Sequence, residues 1–180
     1  MSDPSSPPFP PSSRPPSFPD EELLRKARAL REILVDRGLT LAAAESLTGG
    51  LLSATFTSIP GSSKFFLAGF IAYSNRSKNV FLEVPDAILE TRGAVSPECS
   101  LLMAENARRL AGSDLSVSTT GIAGPDGGTP TKPVGLVYVS VSGEKGHFTE
   151  KHLFDGIRGE IVMSSVVAAL DSLARFLSEG

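Results

Sequence analysis

The chain has 180 residues, enough for one domain with a hydrophobic core that needs no disulfide to hold it. Hydrophobic residues make up 41% and the formal net charge is -3, which is the composition of an ordinary globular protein. The sequence lacks the clusters of basic residues that nucleic-acid-binding proteins carry, so we expect no nucleic-acid partner. We find no N-terminal signal region and no apolar run of membrane length, which predicts a cytoplasmic protein with no membrane partner.

The first 19 residues differ from the rest because proline and serine dominate them. Such a segment buries too little apolar surface to offset the entropy of ordering it, so we predict a disordered tail over residues 1–19 and a folded domain over residues 20–180. A transit peptide is an alternative, although Arg14 is the only basic residue there. A proline-rich ligand for a partner domain is another.

The remainder of the chain alternates helical and strand patterns. A helix is predicted to begin at the cap residue Asp20 and to end near Gly38. The other predicted elements are helices at 48–58, 75–82, 96–110 and 158–177, and strands at 39–44, 65–73, 114–120, 134–142 and 148–154. The strand at 65–73 is mostly apolar, so we expect it to be buried. This order predicts the α/β class, as a three-layer α/β/α sandwich with a mixed, partly antiparallel sheet.

A serine, Ser46, stands between a small-residue strand and a predicted helix that follows a pair of glycines. A hydroxyl at such a turn faces the free N–H groups of the helix start, which stabilise negative charge together with the helix dipole. A nucleophilic serine needs that environment when an oxyanion develops beside it. Serine is also a common helix cap, and the motif alone leaves both roles open.

Histidine and lysine are the candidate bases for such a serine. His147 and His152 lie in a polar hairpin where a solvent-facing role is expected, which disfavours a Ser-His-Asp triad. Lys78 follows the predicted strand 65–73, and elements that follow neighbouring strands converge on one sheet edge. A desolvated lysine can be neutral near pH 7, and Arg76 is expected to lower its pKa further by like-charge repulsion. A solvated surface lysine is the alternative.

Residues 119–128 form a loop rich in glycine after another predicted strand. Glycines allow the backbone to approach a ligand closely, and its N–H groups can cradle an anion, although a purely structural turn stays open. The loop matches neither the Walker nor the dinucleotide motif, so we predict no such cofactor. Arg158 opens the last helix, where its charge opposes the dipole until an anion binds.

No metal site is predicted, because the chain has no Cys-x-x-Cys and no histidine pair at ligand spacing. Cys99 lies in the first turn of the helix that starts after Ser96, where a thiolate is favoured, but we expect a small buried residue. The Ser-x-x-Lys spacing at residues 142–145 falls in a hairpin turn and lacks the helix that this catalytic pattern requires.

Together, four ordered motifs resemble the CinA C-terminal-domain family over about residues 23–177. The motifs are residues 43–50, residues 69–78, residues 93–96 and residues 120–135. Members of this family are nicotinamide mononucleotide deamidases, which hydrolyse the carboxamide to give nicotinate mononucleotide and ammonia. The resemblance implies the same amidohydrolase activity, a small-molecule nucleotide as partner, no cofactor, and a homo-oligomer.

The resemblance also implies roles for individual residues. Ser46 corresponds to the nucleophile and Lys78 to its base, and the turn at Thr48 and Gly49 corresponds to the oxyanion site. Arg158 is implied to bind the phosphate. The full set implied to bind substrate is Glu45, Tyr73, Thr120, Gly121, Ala123, Gly124 and Arg158.

The chain departs from the family pattern in three places. Ile157 stands where the family often has aspartate, and Leu47 stands where cysteine is common. The proline-rich segment replaces a larger nucleotide-hydrolase domain that is often fused upstream, so we expect a stand-alone deamidase. A non-catalytic nucleotide-binding or interaction protein of the same fold is the alternative, and the loss of the carboxylate at position 157 favours it.

Overall fold

The computed structural model describes residues 19–179, so the predicted tail lies outside the described residues except for Pro19. Helices and strands alternate along most of the chain, with a 3₁₀ turn at Ser62–Lys64. The helices are α1 (Glu21–Asp36), α2 (Leu51–Thr57), α3 (Asn75–Leu82), α4 (Asp86–Thr91), α5 (Pro97–Ala111) and α6 (Arg158–Ser178). The strands are β1 (Leu41–Glu45), β2 (Phe66–Ile71), β3 (Leu115–Gly121), β4 (Leu136–Gly143) and β5 (Gly146–Leu153).

The strands form one five-stranded sheet in the order β2-β1-β3-β4-β5. β2, β1 and β3 are parallel, whereas β4 and β5 are each antiparallel to the strand before them. Helices α1, α2 and α6 cover one face, and α5 covers the other with α3 and α4 beside it. The prediction of an α/β sandwich with a mixed sheet is therefore confirmed.

The two faces of the sheet bury two apolar clusters of unequal size. The larger joins α1 and α6 to the sheet through side chains such as Leu30, Leu170 and Val117. The smaller lies under α5 and contains Cys99 and Met103. All five residues of β1 are buried because both of its faces are covered. The carboxyl ends of β1 and β2 are thus held side by side at one edge of a rigid sheet.

The predicted helix ends follow from ordinary capping. Asp20 accepts a hydrogen bond from the N–H of Leu23 at 3.0 Å, and Ser96 accepts one from the N–H of Cys99 at 3.2 Å. Gly112 ends α5 in the left-handed conformation, as glycine does most easily. These caps confirm the predicted starts of α1 and α5, whereas α4 carried too weak a pattern to be predicted.

Two of the predicted elements need correction. The helix expected over 48–58 begins only at Leu51, because residues 46–50 form a turn. The strand expected over 65–73 is not buried: β2 alternates between half-buried and exposed residues. β2 lies at the edge of the sheet, so no second neighbour covers it among residues 19–179.

Helix α6 is, within residues 19–179, the one helix long and apolar enough by length and composition to cross a membrane. The sequence-based expectation that no apolar stretch reaches this length is therefore wrong. Half of its apolar window is buried, and the helix packs on α1 and β4. The helix is accordingly a core element of this fold.

Two glycines with positive φ differ in the space around them, and substitution by alanine tests whether close packing at one of them matters for stability. Gly135 has φ +89° and joins the 122–135 loop to β4, and a Cβ there would collide with the carbonyl oxygen of Phe154. Gly38 has φ +64° but nothing within 4 Å of its Cβ position. We expect Gly38→Ala to lower the free energy of unfolding by about 1 kcal/mol, and Gly135→Ala to lower it by roughly 3 kcal/mol or more. Urea denaturation measures both, and equal losses would contradict the predicted collision.

Candidate active site

The side chains of Ser46 and Lys78 meet at the carboxyl ends of β1 and β2. The Nζ of Lys78 lies 2.9 Å from the Oγ of Ser46 and donates to the carbonyl oxygen of Ala72, also at 2.9 Å. The lysine is 1% exposed and the serine 7%. The structure thus brings together the two residues that the sequence singled out, while their catalytic roles stay a prediction.

Short local contacts hold each partner in place. Ser46 follows β1 directly, and its N–H donates to the carbonyl oxygen of Thr119 on β3 at 3.0 Å. Lys78 lies one turn into α3, whose start is capped by Ser74 through the N–H of Ser77. The N–H of Ala72 donates to the carbonyl oxygen of Glu45 at 2.8 Å, so the amine's acceptor is tied to β1. Both side chains are therefore positioned by backbone, not by flexible loops.

Burial lowers the pKa of Lys78 below its ordinary value, and the nearby Cys99 acts in the opposite direction. Arg76 is not among the causes, so the predicted like-charge repulsion is wrong; desolvation acts instead. Burial also raises the pKa of Cys99 to about 11, against the influence of Lys78 and Lys132. Cys99 is therefore a neutral buried thiol, as expected, and the favoured thiolate is excluded at neutral pH.

Glu45 caps α2, a role that the sequence had left open for Ser46. The carboxylate of Glu45 accepts from the N–H groups of Gly50 at 2.9 Å, Leu52 at 3.1 Å and Ser53 at 2.8 Å, and from the Ser53 hydroxyl at 2.6 Å. Glu45 is fully buried and does not line the cavity beside Ser46. In the structure Glu45 therefore holds the start of α2, and its implied contact with substrate stays a prediction.

The turn of residues 46–50 corrects the predicted oxyanion site in part. The N–H of Gly49 donates to the carbonyl oxygen of Ser46 at 3.2 Å, and the hydroxyl of Thr48 pairs with that of Thr119 at 2.8 Å. Neither group is free to bind an oxyanion. The N–H groups of Leu47 and Thr48 have no hydrogen-bond partner among the described residues. These two donors are the remaining candidates in the turn.

A cavity of about 290 Å³ opens beside the Ser46 hydroxyl and the Lys78 amine. Most of the residues predicted to bind substrate line it, whereas Glu45, Thr48 and Gly49 do not. Sequence reasoning missed Asn75 and Asp126, two exposed polar residues of the same lining. The predicted residues in the lining are Ser46, Tyr73, Lys78, Thr120, Gly121, Ala123, Gly124 and Arg158.

Arg158 crosses the mouth of this cavity. Its guanidinium donates to the carbonyl oxygen of Gly124 at 3.0 Å and to the hydroxyl of Tyr73 at 2.8 Å. Both acceptors are neutral, and no carboxylate pairs with Arg158 within residues 19–179. Its positive charge, at the start of the 21-residue helix α6, is therefore available to an anion.

Position 157 carries no carboxylate, yet Arg158 is held firmly. Ile157 is 73% exposed, and its N–H donates to the Oε2 of Glu160 at 2.8 Å. Glu160 thus supplies a carboxylate to the first turn of α6. The two neutral acceptors described above orient the guanidinium without any aspartate at position 157.

The loop after β3 packs around its own backbone. The hydroxyl of Thr120 donates to the carbonyl oxygen of Ala94 at 2.7 Å, which ties β3 to the segment before α5. A Cβ at Gly121 would lie 2.7 Å from the carbonyl oxygen of Leu136, so no larger residue fits there. Thr120 and Gly121 therefore shape the cavity wall, in addition to lining it.

A larger cleft of about 640 Å³ between β5 and α6 contains a serine, a histidine and a glutamate. The hydroxyl of Ser172 donates to Glu150 and not to His152, whose Nε2 lies 3.9 Å from the same carboxylate. No histidine therefore accepts the proton of this serine, so the cleft lacks the contact between serine and histidine that a catalytic triad requires. His152 is half-buried and stacks on Phe154 at 5.3 Å, so the expected solvent-facing role is corrected.

The burial of the Lys78 amine predicts how the free energy of unfolding depends on pH. A lysine whose folded pKa is lowered binds fewer protons folded than unfolded at any pH between that pKa and its ordinary value of 10.5. The free energy of unfolding of the protein, minus that of Lys78→Met, should therefore rise as the pH approaches 10.5 from below, by up to about 1.4 kcal/mol per pH unit. Urea denaturation from pH 7 to pH 10.5 measures this difference, and a difference that stays flat or falls over the whole range would contradict the lowered pKa.

Comparison with known proteins agrees with this geometry. A model of the CinA C-terminal domain matches residues 24–177. A CinA-like protein of Geotalea uraniireducens is 47% identical over 142 residues, which are 79% of this chain and 34% of that protein. One from Citrifermentans bemidjiense is 48% identical over 145 residues, 81% of this chain and 35% of that protein. The chain thus spans about a third of the length of these curated relatives.

Solved structures agree as well. The competence/damage inducible protein CihA of Agrobacterium tumefaciens matches with a TM-score of 0.84 and 36% identity, over 87% of this chain and 96% of that one. A competence damage-inducible protein A of Klebsiella pneumoniae matches with a TM-score of 0.84 and 29% identity, over 87% of this chain and 97% of that one. By sequence and by fold, this chain belongs to the CinA C-terminal domain family.

Proposed function

We propose that this chain is an amidohydrolase that converts nicotinamide mononucleotide to nicotinate mononucleotide and ammonia. One observation carries the proposal: the buried contact of 2.9 Å between the Nζ of Lys78 and the Oγ of Ser46, beside an open cavity. A serine needs a base within hydrogen-bond reach to act as a nucleophile, and a desolvated lysine can be that base.

The proposed reaction is an acyl transfer in two steps. The Oγ of Ser46 attacks the amide carbon while the neutral amine of Lys78 accepts the hydroxyl proton. Lys78 then gives that proton to the departing nitrogen, which leaves as ammonia, and an acyl ester stays on the serine. Water, with Lys78 again as base, hydrolyses the ester and releases the acid.

The turn after β1 is suited to the charge that this attack creates. The unpaired N–H groups of Leu47 and Thr48 are in the same turn as the nucleophile, where backbone donors cost no reorganisation as an oxyanion forms. The Glu45 carboxylate neutralises the start of α2 but leaves these two donors free. We therefore assign the oxyanion site to Leu47 and Thr48.

The part of the cavity wall that Arg158 contributes is suited to a phosphate. Arg158 offers a guanidinium with only neutral partners, at the start of α6, and a phosphate binds such a fork by charge-assisted hydrogen bonds. A cytoplasmic location is part of the same proposal, because that is where a nucleotide substrate of this kind is found.

A non-catalytic nucleotide-binding protein of the same fold is the second candidate, and the isoleucine at position 157 favours it. The contacts of Arg158 weaken this argument, because Gly124 and Tyr73 hold the guanidinium. Saturable binding of the nucleotide without ammonia release would select the binding protein.

The roles of the dyad are tested by removing each partner. We expect Ser46→Ala to lower turnover by roughly 10³-fold or more. Lys78→Arg should lose activity to a similar extent, because arginine cannot act as a base near neutral pH. Ammonia release from nicotinamide mononucleotide is the measurement, with circular dichroism to verify folding.

Ser172→Ala is the matched control, since Ser172 is a buried serine on a helix in the other cleft. It should keep full activity. An active Ser46→Ala enzyme would point to water as the direct nucleophile, and an active Lys78→Arg enzyme would remove the lysine from the mechanism.

The phosphate role of Arg158 is tested by comparing two substrates. Arg158→Met should raise the KM for nicotinamide mononucleotide about ten- to a hundredfold, because this factor corresponds to the binding free energy of a charge-assisted hydrogen bond. The KM for nicotinamide riboside, which lacks the phosphate, should stay within about twofold. Arg175→Met, on the same helix but outside this cavity, is the control. An equal loss with both substrates would contradict a phosphate contact.

A further inference from the structure

Exposed apolar side chains are concentrated on one side of the molecule. Within residues 19–179, eight large hydrophobic side chains are exposed, and five of them lie on β2, on α3 or on the link between them. The other three are scattered over α5, β5 and the residue before α6. The five form what we call the β2 patch: Leu67, Ile71, Tyr73, Val80 and Phe81.

The two edge strands of the sheet differ in charge, and this difference indicates which edge can pair with another chain. β5, at one edge, carries His147, Glu150 and Lys151, and charges of this kind prevent a strand from pairing with another chain. β2, at the other edge, contains no charge and no proline from Phe66 to Ile71. Proteins rarely expose an uncharged, apolar edge strand to solvent, because another strand can pair with it. The composition of β2 is therefore that of a strand whose outer edge pairs with another strand.

We propose that the β2 edge of one copy pairs with the β2 edge of a second copy of this chain about a two-fold axis. A two-fold axis relates identical surfaces and makes the two strands antiparallel, so that one sheet runs through both copies. This interface is separate from the proposed function, because it is defined and tested without substrate.

The side chains of β2 select a register. The pairing of β2 with β1 skips Leu67 and is regular from Ala68 onwards. Gly69 and Ile71 lie on the face of β2 that approaches α2, where a Cβ at Gly69 would meet Ser53 and Ile71 approaches Gly50. Pairing centred on Gly69 places Leu67 opposite Ile71 of the second copy, and the reverse, with the two glycines facing each other at the axis. Two large apolar pairs then flank a small centre, and no like charges meet along the paired strands.

The size of the patch suits this occupant. Its five side chains are 46% to 60% exposed, so each presents on the order of 100 Å². Together they supply about half or more of the roughly 800 Å² per partner that a stable interface buries, and the paired backbone adds to this. The proline-rich segment at the start of the chain is a poor occupant, because proline has no N–H to donate to a strand edge.

The interface would border the candidate active site. Tyr73 follows the end of β2 by two residues and also lines the Ser46 cavity, and its hydroxyl accepts from Arg158. A second copy seated on the β2 patch therefore lies next to the mouth of that cavity.

The first test is the oligomeric state of the full chain by sedimentation velocity over a range of concentrations. We expect a dimer at micromolar concentration. Leu67→Lys places a charge on the edge and should raise the dissociation constant of the dimer at least tenfold. Leu153→Lys is the matched control, because Leu153 is a leucine on the opposite edge that is exposed to 63% against 46% for Leu67; it should leave the dissociation constant unchanged. Circular dichroism verifies that both variants fold.

The second test checks the register. In a Cys99→Ala background, Leu67→Cys together with Ile71→Cys should give a disulfide-linked dimer on mild oxidation, because residues directly opposite in antiparallel strands have Cα atoms about 4.5–5.5 Å apart. Either cysteine alone should give little. A protein that stays monomeric at about 100 μM, an assembly that Leu67→Lys leaves intact, or a double variant that does not cross-link would overturn the proposal.

Discussion

The candidate site depends on the burial of the Lys78 amine, a group that is charged when it is exposed to water. An ammonium as deeply buried as Lys78, with two oxygen acceptors and no carboxylate, is costly, so the fold favours the neutral form. In the proposed reaction this neutral amine is the base, so the burial that costs stability would serve the chemistry.

The turn after β1 explains how the serine hydroxyl stays available. A serine between a strand and a helix would ordinarily cap the helix and commit its oxygen to backbone N–H groups. Here the preceding residue, Glu45, does so with both carboxylate oxygens from the buried end of the strand. The hydroxyl of Ser46 therefore has Lys78 as its partner. Glu45 thus builds the turn, and the adjacent Ser46 keeps its hydroxyl available for the role proposed above.

Pattern and position predicted much of this arrangement. The order of elements determined the sandwich, and the ends of neighbouring strands indicated that residues 46 and 78 would meet. The sequence could not show which side chain caps α2, because both Glu45 and Ser46 are suitable caps and only the direction of each side chain decides. It also could not show that desolvation, not Arg76, lowers the lysine pKa, since burial is a property of the packed fold. For the same reason β2 was taken as buried: its apolar sequence is that of a central strand, and only the sheet order makes it an edge.

The protonation state of Lys78 is the quantity that tests this account most directly. Nitrogen-15 NMR of labelled lysine side chains, with the Lys78 resonance assigned by its loss in Lys78→Met, follows that one amine through a pH titration. The account predicts that Lys78 loses its proton below the ordinary lysine value of 10.5. A Lys78 amine that titrates at or above 10.5 would be charged at neutral pH, unable to take the serine proton, and would contradict the central claim.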